Sequence, residues 1–213
     1  MKGAHVRAAL ICTGLLAGLC EGPGAAVAAS PVDDAIGLYR QRRYGEARAA
    51  LERVMATEPA NAAACYYLAL ALQRVAPPSL DSARRWLAKA VRLAPQDETY
   101  LAEYAGVTFL MADRDKSLRL AVEGRDAMAK AVAMNPADLD ACDGLMRFCA
   151  TAPWPLGNTK KALDLAAEIA KRDPRRGPAA YRAIAAVFEK QGRVEQARFA
   201  NEAAQRLARA GGE

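Results

Sequence analysis

Four prolines recur along the chain at a fixed distance from a small residue, and this regularity restricts the fold more than any other feature. Each proline and the small residue twelve positions before it are Pro59 with Ala47, Pro95 with Ala83, Pro136 with Gly124, and Pro174 with Ala162. Apolar residues follow each small residue at i+4 and i+7, which is the spacing of one face of an amphipathic helix. Each proline then ends its helix, because proline cannot continue a helix and restricts the residue before it.

A second helix fits between each proline and the next small residue. Its apolar positions lie six, nine, ten and thirteen residues past the proline: Cys65, Leu68, Ala69 and Leu72; Leu101, Tyr104, Ala105 and Thr108; Cys142, Leu145, Met146 and Cys149. A fifth copy, shifted by one residue, gives Tyr181, Ile184, Ala185 and Phe188. The alanine-rich composition, with only 6% aromatic residues, favours close-packed helices over a β-sandwich. We therefore predict an all-α chain of helix pairs, with a helix A and a helix B in each repeat.

The segments YRQRRYGEARAALERVMATEPAN and VFEKQGRVEQA resemble the tetratricopeptide repeat (TPR). In that family a small residue opens helix B and a proline closes it. The resemblance implies a right-handed α-solenoid of about five helix pairs within residues 30–213. The predicted repeats are approximately 30–61, 62–97, 98–138, 139–176 and 177–210. Because TPR proteins serve many binding roles, the resemblance implies a scaffold without naming its partner.

The proline spacings of 36, 41 and 38 residues exceed the family period of about 34. Because the distance from the small residue to the proline is twelve residues in every repeat, the extra residues belong to helix A, the A–B turn or the start of helix B. The expected insertions are RVAPPSLDS, MADRDKSLRL and CATAPWPLGNT; in the second, part of the extra length is expected to extend the helices. Equivalent turns of a solenoid align along one edge, so the insertions are expected to form a rim.

From about Leu101 onward, the chain is similar to exported bacterial TPR proteins with an A-P-x-x-x-G-G turn. Here the pattern reads Ala152, Pro153, Gly157 and Asn158, followed by Lys161 and Ala162. Asn158 stands in place of the second glycine. We interpret Gly157 and Asn158 as positions that tolerate a positive φ.

Residues 1–29 have the pattern of a secretory signal peptide. A basic start precedes an apolar run from about Ala8 to Leu19, and small residues then lead to a cleavage site near Ala28 or Ala29. The apolar run is too short to span a membrane, so we predict a periplasmic protein with no membrane span after cleavage. A lipoprotein would use Cys20, but Leu19 stands where such signals have a small residue. An uncleaved N-terminus or anchor is the remaining alternative.

Loss of the leader removes His5, the only histidine. Ser-His-Asp and Cys-His catalysis and the commonest metal ligand are then excluded. Cys65, Cys142 and Cys149 remain. Cys142 and Cys149 lie two helical turns apart, about 10 Å, which is too far for a disulfide. We predict that all three are buried free thiols.

No P-loop, Gly-x-Ser-x-Gly motif or zinc-spaced Cys/His set is present, and we predict no enzymatic activity, cofactor or metal. The clustered carboxylates are Asp113, Asp115, Asp138, Asp140 and Asp143. A Ca²⁺ site or a glycosidase pair is one interpretation; structural or solvated roles, including helix N-termini, are the one we favour. The basic cluster RDPRR has no interleaved aromatic residues, so nucleic acid is not expected as a partner.

Helix A positions seven, eleven and fourteen residues past the proline are predicted to line a concave groove. Tyr39 follows from extrapolation to repeat one and Arg182 from the one-residue shift of repeat five. The candidate partner-binding residues are Tyr39, Tyr66, Leu70, Phe109, Arg147 and Arg182, with Trp154 on the rim. Small Ala102 and Gly106 are expected to leave room for a ligand side chain. The alternative is that Tyr66 and Phe109 only pack across repeats.

Trp154 lies between Pro153 and Pro155, and the prolines should hold the loop extended and aim the indole in one direction. The indole either anchors against the neighbouring repeat or points outward as a partner contact. We favour the anchor.

These features predict a non-enzymatic periplasmic module that binds a protein or peptide through an apolar groove and an inserted rim, as a monomer. The alternative is a structural subunit of a cell-envelope assembly that associates through the ends of the solenoid.

Overall fold

The computed structural model describes residues 30–153 and 155–210, and within them the chain forms ten helices and no strand. The helices are α1 (Pro31–Arg40), α2 (Tyr44–Thr57), α3 (Ala62–Arg74), α4 (Leu80–Leu93), α5 (Glu98–Asp115), α6 (Leu118–Met134), α7 (Leu139–Thr151), α8 (Thr159–Arg172), α9 (Gly177–Lys190) and α10 (Val194–Ala210). Odd-numbered helices are A helices, and each packs against the B helix that follows it. The predicted all-α solenoid of five helix pairs is confirmed.

The four prolines follow helices α2, α4, α6 and α8 in turns of one repeated geometry. The residues before them, Glu58, Ala94, Asn135 and Asp173, have φ of −126°, −133°, −134° and −133°. Proline imposes such an extended conformation on the residue before it. The carbonyl of each of these residues accepts a hydrogen bond of 3.0–3.1 Å from the backbone N–H three residues later. Helix B is therefore joined to the next helix A at the same local geometry each time.

Side chains just after the prolines cap the A helices. The side chains of Asn61, Asp97 and Asp138 accept hydrogen bonds from the third backbone N–H beyond them, at 2.9, 3.1 and 3.0 Å. Such a bond satisfies an N–H group that has no partner within the helix. Helix α9 has no side-chain cap and carries Pro178 in its first turn instead, a position where the missing N–H costs no hydrogen bond.

The core consists of two apolar clusters. The first joins helices α1–α6 and contains the fully buried Leu51, Leu68 and Leu87. The second joins helices α5–α10 and contains Met146, Ile184 and Phe188, also fully buried. Helix α5 contributes to both clusters, so the third repeat connects the two halves of the molecule.

The small residues that open the B helices allow close approach of the paired helices. Ala47, Ala83 and Ala162 are completely buried. At Gly124, an added Cβ would lie 2.7 Å from the Phe109 ring. A larger residue at this position would therefore separate α5 from α6.

The extra residues of the repeats lie at the A–B turns or lengthen the helices. The α3–α4 loop spans residues 75–79 and the α7–α8 loop spans residues 152–158. In the third repeat the helices themselves are long, with 18 residues in α5 and 17 in α6. Only Lys116 and Ser117 separate them.

Gly157 and Asn158 are interpreted from the sequence as positions that tolerate a positive φ, but neither residue adopts one. Asn158 has a φ of −143°, and its side chain caps α8 by accepting a 2.9 Å hydrogen bond from the Lys161 N–H. Among the described glycines, only Gly192 has a positive φ. Gly157 is needed for a different reason: an added Cβ would lie 2.0 Å from the carbonyl oxygen of Ala152. The loop folds back on the end of α7, and the Asn158 N–H donates to the Cys149 carbonyl at 2.8 Å.

A polar cluster connects α4, α5 and α6. Arg84 donates to the Tyr104 hydroxyl at 2.9 Å, to Thr108 Oγ1 at 3.3 Å, and to Glu123. The Tyr104 hydroxyl also donates to Glu123. Burial by itself would raise the pKa of Glu123, but the hydrogen bonds from Tyr104 and Arg84 lower that pKa below its ordinary value.

All three cysteines of the described residues are free and buried, as predicted. Burial raises the pKa of the Cys65, Cys142 and Cys149 thiols, which makes them poor nucleophiles. The predicted signal peptide, residues 1–29, lies outside the described residues. No helix in the described part of the chain is both long and apolar enough to cross a membrane.

Candidate partner-binding groove

Five tyrosines form a continuous row along helices α1, α3 and α5 and the start of α2. We call Tyr39, Tyr44, Tyr66, Tyr67 and Tyr100 the tyrosine row. Neighbouring ring centroids are 5.3 Å apart for Tyr39–Tyr44, 5.5 Å for Tyr39–Tyr67, 5.2 Å for Tyr66–Tyr67 and 4.6 Å for Tyr66–Tyr100. Aromatic pairs attract one another at these separations. All five side chains are only partly buried, so the row presents apolar surface to solvent.

Glu103 on α5 introduces a negative charge beside the tyrosine row. Burial raises the pKa of Glu103, the charge of Arg74 opposes this shift, and the charge of Asp138 adds to it. Burial also raises the pKa of Tyr66 strongly, and the charge of Glu103 adds to that effect. The two side chains therefore share one poorly solvated environment. Within the described residues, the Glu103 side chain makes no salt bridge and no hydrogen bond.

A cavity of about 300 Å³ continues from Glu103 along α5 to the start of α7. Ala102 and Gly106 form part of its wall, Met128 contributes an apolar surface, and Asp138 and Asp140 lie at the α7 end. An added Cβ at Gly106 would meet no atom within 4 Å. The structure thus contains an open space at the two small residues where the sequence led us to expect room for a ligand side chain.

Of the candidate residues in the first three repeats, Tyr39 and Tyr66 lie in the tyrosine row and Leu70 is partly buried on the same helix as Tyr66. Phe109 stacks on Phe148, with ring centroids 4.6 Å apart and planes at 15°. It thereby packs across repeats, as the alternative interpretation proposed. Tyr66 also contacts the next repeat, through Tyr100.

The candidate residues in the later repeats do not join the tyrosine row. Arg147 is exposed and forms a salt bridge with Asp143 at 2.6 Å, one helical turn away. Arg182 is exposed on α9. Trp154 lies outside the described residues, so its two interpretations stay predictions.

The rim beside the groove contains a second, more apolar cavity, of about 400 Å³. It lies between the α5–α6 turn and the α7–α8 loop, and Leu118, Phe148, Pro153 and Leu156 form part of its wall. Leu118 is 63% exposed. The inserted segments of repeats three and four therefore meet along one edge.

The clustered carboxylates have structural partners. Asp113 pairs with Lys116 and Asp115 with Arg114; Asp138 caps α7; Asp140 pairs with Arg176 and Asp143 with Arg147. In the described part of the chain, no group of three or more His, Cys, Asp or Glu side chains is arranged to hold a metal ion.

The sequence rule did not identify Tyr67, Tyr100 or Glu103 as groove residues. Tyr67 and Glu103 lie eight residues past Pro59 and Pro95, one position beyond the first one selected. Long side chains at this position reach the groove from the edge of the helix. The repetition of tyrosine at neighbouring A-helix positions was the sequence signal that could have identified Tyr67 and Tyr100.

Comparison with known proteins gives structural neighbours only: no family model matches the chain, and no curated protein sequence matches it. A crystal structure of MamA superposes with a TM-score of 0.66 at 18% identity, covering 84% of this chain and 97% of that one. YrrB, described as a TPR protein with an unusual peptide-binding site, gives 0.65 at 17% identity, with 83% and 84% covered. An O-GlcNAc transferase from Thermobaculum terrenum gives 0.57 at 20% identity, covering 67% of this chain but only 25% of that enzyme.

These structural similarities extend over most of the five helix pairs. Because the sequence identities are low, the similarities establish the fold alone. The chain has a TPR-type fold, as the sequence resemblance implied.

Proposed function

We propose that this protein is a non-enzymatic scaffold that binds an extended segment of a protein or peptide in its concave groove. The observation that carries the proposal is the tyrosine row, in which five partly exposed rings lie in continuous contact across three repeats. Tyrosines supply large, amphipathic contact areas with little conformational entropy to lose, which is why they are frequent at binding hot spots.

Binding would proceed by shape and apolar complementarity to a surface that exists before the ligand arrives. The rings of the row hold one another in place, so few rotamers are lost on association. The cavity beside Gly106 would accept one side chain of the ligand, and the rim would border the groove. The neighbour YrrB, described as having a peptide-binding site, is consistent with this use of the fold.

The groove can be tested with a phage-displayed library of random peptides selected against the purified protein. We expect the wild-type protein to enrich a defined set of sequences, and Gly106→Trp to abolish their capture, because the indole would fill the cavity. Gly45→Trp is the matched control: Gly45 is exposed on α2 and an added Cβ there also meets no atom within 4 Å. Helical circular dichroism should be unchanged in both variants.

Equal capture by the wild-type protein and Gly106→Trp would place binding outside the groove. Absence of any enrichment would favour the alternative function, a structural subunit that associates through the solenoid ends. That alternative is supported by Val194 and Phe199 on the last helix, which are 70% and 50% exposed. It predicts self-association or co-assembly that is lost on polar substitution of these two residues, whereas the peptide-binding scaffold is expected to be a monomer.

We propose that the protein is located in the bacterial periplasm. The signal-peptide pattern of residues 1–29 supports this localisation. The protein recovered from a periplasmic fraction should begin near Ser30 by N-terminal mass analysis, and recovery of a chain with an intact Met1 would contradict the proposal.

A further inference from the structure

We propose that the groove recognises a peptide segment that carries a cationic side chain, arginine or lysine, next to an apolar or aromatic residue. The inference rests on the proposed function and specifies its ligand. The apolar residue would lie on the tyrosine row, and the cationic side chain would enter the cavity beside Glu103.

The positions of the two surfaces support this arrangement. Glu103 lies on α5, between Tyr100 of the row and Gly106 of the cavity, and it forms part of the cavity wall. Its charge acts on both Tyr66 and Tyr39. A ligand side chain that passes from the tyrosine rings into the cavity therefore meets this carboxylate.

The charge distribution selects a cation. Three carboxylates, those of Glu103, Asp138 and Asp140, contribute to the cavity wall, although the chain as a whole has a formal charge of +6. Asp140 is paired with Arg176 at 2.6 Å, and one oxygen of Asp138 caps α7. Glu103 has no such partner, and Arg74, the cation that acts on it, lies outside the 4 Å range of a salt bridge. A partly buried carboxylate without a partner gains most from an incoming cation, because the pairing offsets its desolvation.

The neighbouring aromatic rings add to this preference. The π-faces of Tyr66 and Tyr100 attract cations, and a guanidinium group can contact a ring face with its plane while donating to a carboxylate with its edge. The Ala102 and Gly106 part of the wall leaves space for the long aliphatic stem of either basic residue. The Glu103 carboxylate would repel an acidic side chain, and an uncharged polar side chain would leave the charge of Glu103 unpaired.

The phage-displayed peptide library also tests the inference. We expect the sequences enriched by wild-type protein to contain arginine or lysine, in excess over the unselected library, at a fixed distance from an aromatic or aliphatic residue. Glu103→Gln should lose the excess of basic residues and retain the apolar preference. Glu52→Gln makes the same charge change on the exposed side of α2, and it should behave as wild type.

A double-mutant cycle on the best peptide then measures the pairing directly. Replacement of its arginine by citrulline, which is nearly isosteric but neutral, should raise the Kd for the wild-type protein about tenfold. The same replacement should leave the Kd for Glu103→Gln unchanged. Glu103→Gln is expected to melt no lower than wild type, because burial disfavours the charge that it removes.

The outcomes separate the two proposals. Enriched peptides without an excess of basic residues, or an equal citrulline effect in wild type and Glu103→Gln, would overturn the cationic specificity and leave the groove intact as a binding site. Enriched acidic peptides would reverse the assigned charge preference and point to Arg74. If Gly106→Trp captures peptides as well as wild type does, the groove itself is the wrong site.

Discussion

At the scale of single residues, Gly157 shows that a glycine can be required by a close contact rather than by its backbone angle. An added Cβ at this position would lie 2.0 Å from the Ala152 carbonyl oxygen, in the segment where the loop turns back on the end of α7. Backbone atoms cannot move aside as a flexible side chain can. The close approach of Gly157 to Ala152 therefore restricts the conformation of the repeat-four loop.

Gly157→Ala should consequently destabilise the protein by about 2–4 kcal/mol, in the range of substitutions that force backbone strain. Urea unfolding measures the loss. Gly45→Ala is the control, since Gly45 is exposed in a helix with open space around it, and a small gain from helix propensity is expected there. If Gly157→Ala unfolds at the same urea concentration as wild type, the close approach is not a constraint on the loop.

The turn pattern in the sequence drew attention to Gly157 but did not predict the close contact that requires a glycine there. Sequence spacing was similarly incomplete for the groove. Tyr39 and Tyr66 occupy positions that a helical period selects, whereas Tyr67, Tyr100 and Glu103 reach the groove from the flank of their helices. A rule based on spacing identifies which Cα atoms face the groove. It cannot tell how far a long side chain extends, or that Phe109 would stack on Phe148 across the next repeat.

At the scale of elements, the proline-to-small-residue unit predicted the helix pairs because each of its parts has a local physical cause. A proline ends helix B, and a buried small residue lets helix B approach helix A. The lengths of α5 and α6 were less predictable, because a two-residue turn at Lys116 and Ser117 replaces the loop found in repeats two and four. In the structure, most of the extra residues of repeat three lengthen helices α5 and α6.

The cluster of Arg84, Tyr104 and Glu123 holds three elements together and should make stability depend on pH. Since the pKa of Glu123 is lowered in the folded state, its contribution is present above the unfolded pKa, about 4.5, and is lost as the pH falls through the folded value. Glu123→Gln should cost about 1–3 kcal/mol at pH 7, and the difference from wild type should shrink in acid.

Urea unfolding of both proteins at neutral pH and near pH 3.5 checks this expectation. Glu52→Gln on the exposed side of α2 removes a solvent-exposed salt bridge with Arg48 and should have little effect at either pH. A Glu123→Gln deficit that persists unchanged in acid would show that the stabilisation does not come from the charge of this carboxylate.

At the scale of the whole molecule, the two apolar clusters divide the solenoid into halves that share α5 and α6. Repeat proteins are stabilised by contacts between neighbouring repeats, so the loss of one cluster need not remove the other. Leu87, in the first cluster, and Ile184, in the second, are both fully buried. Each can therefore report on the stability of its own half.

We expect Leu87→Ala, at a cost of about 2–5 kcal/mol, to accelerate hydrogen exchange in α1–α4 while α7–α10 stay protected. Ile184→Ala should give the reverse pattern. Peptide-resolved mass spectrometry of amide exchange distinguishes the halves. Equal loss of protection in both halves by either variant would show that the solenoid unfolds as a single cooperative unit.

The uniform turn at Glu58, Ala94, Asn135 and Asp173 has a consequence for how such a chain can change during evolution. The turn fixes the direction in which each new helix pair leaves the previous one, whereas the A–B turns differ in length between repeats. Residues can thus be gained or lost at the A–B edge without redirecting the pairs that follow. The junctions therefore set the path of the solenoid, and the A–B edge is the part that can change in length and sequence.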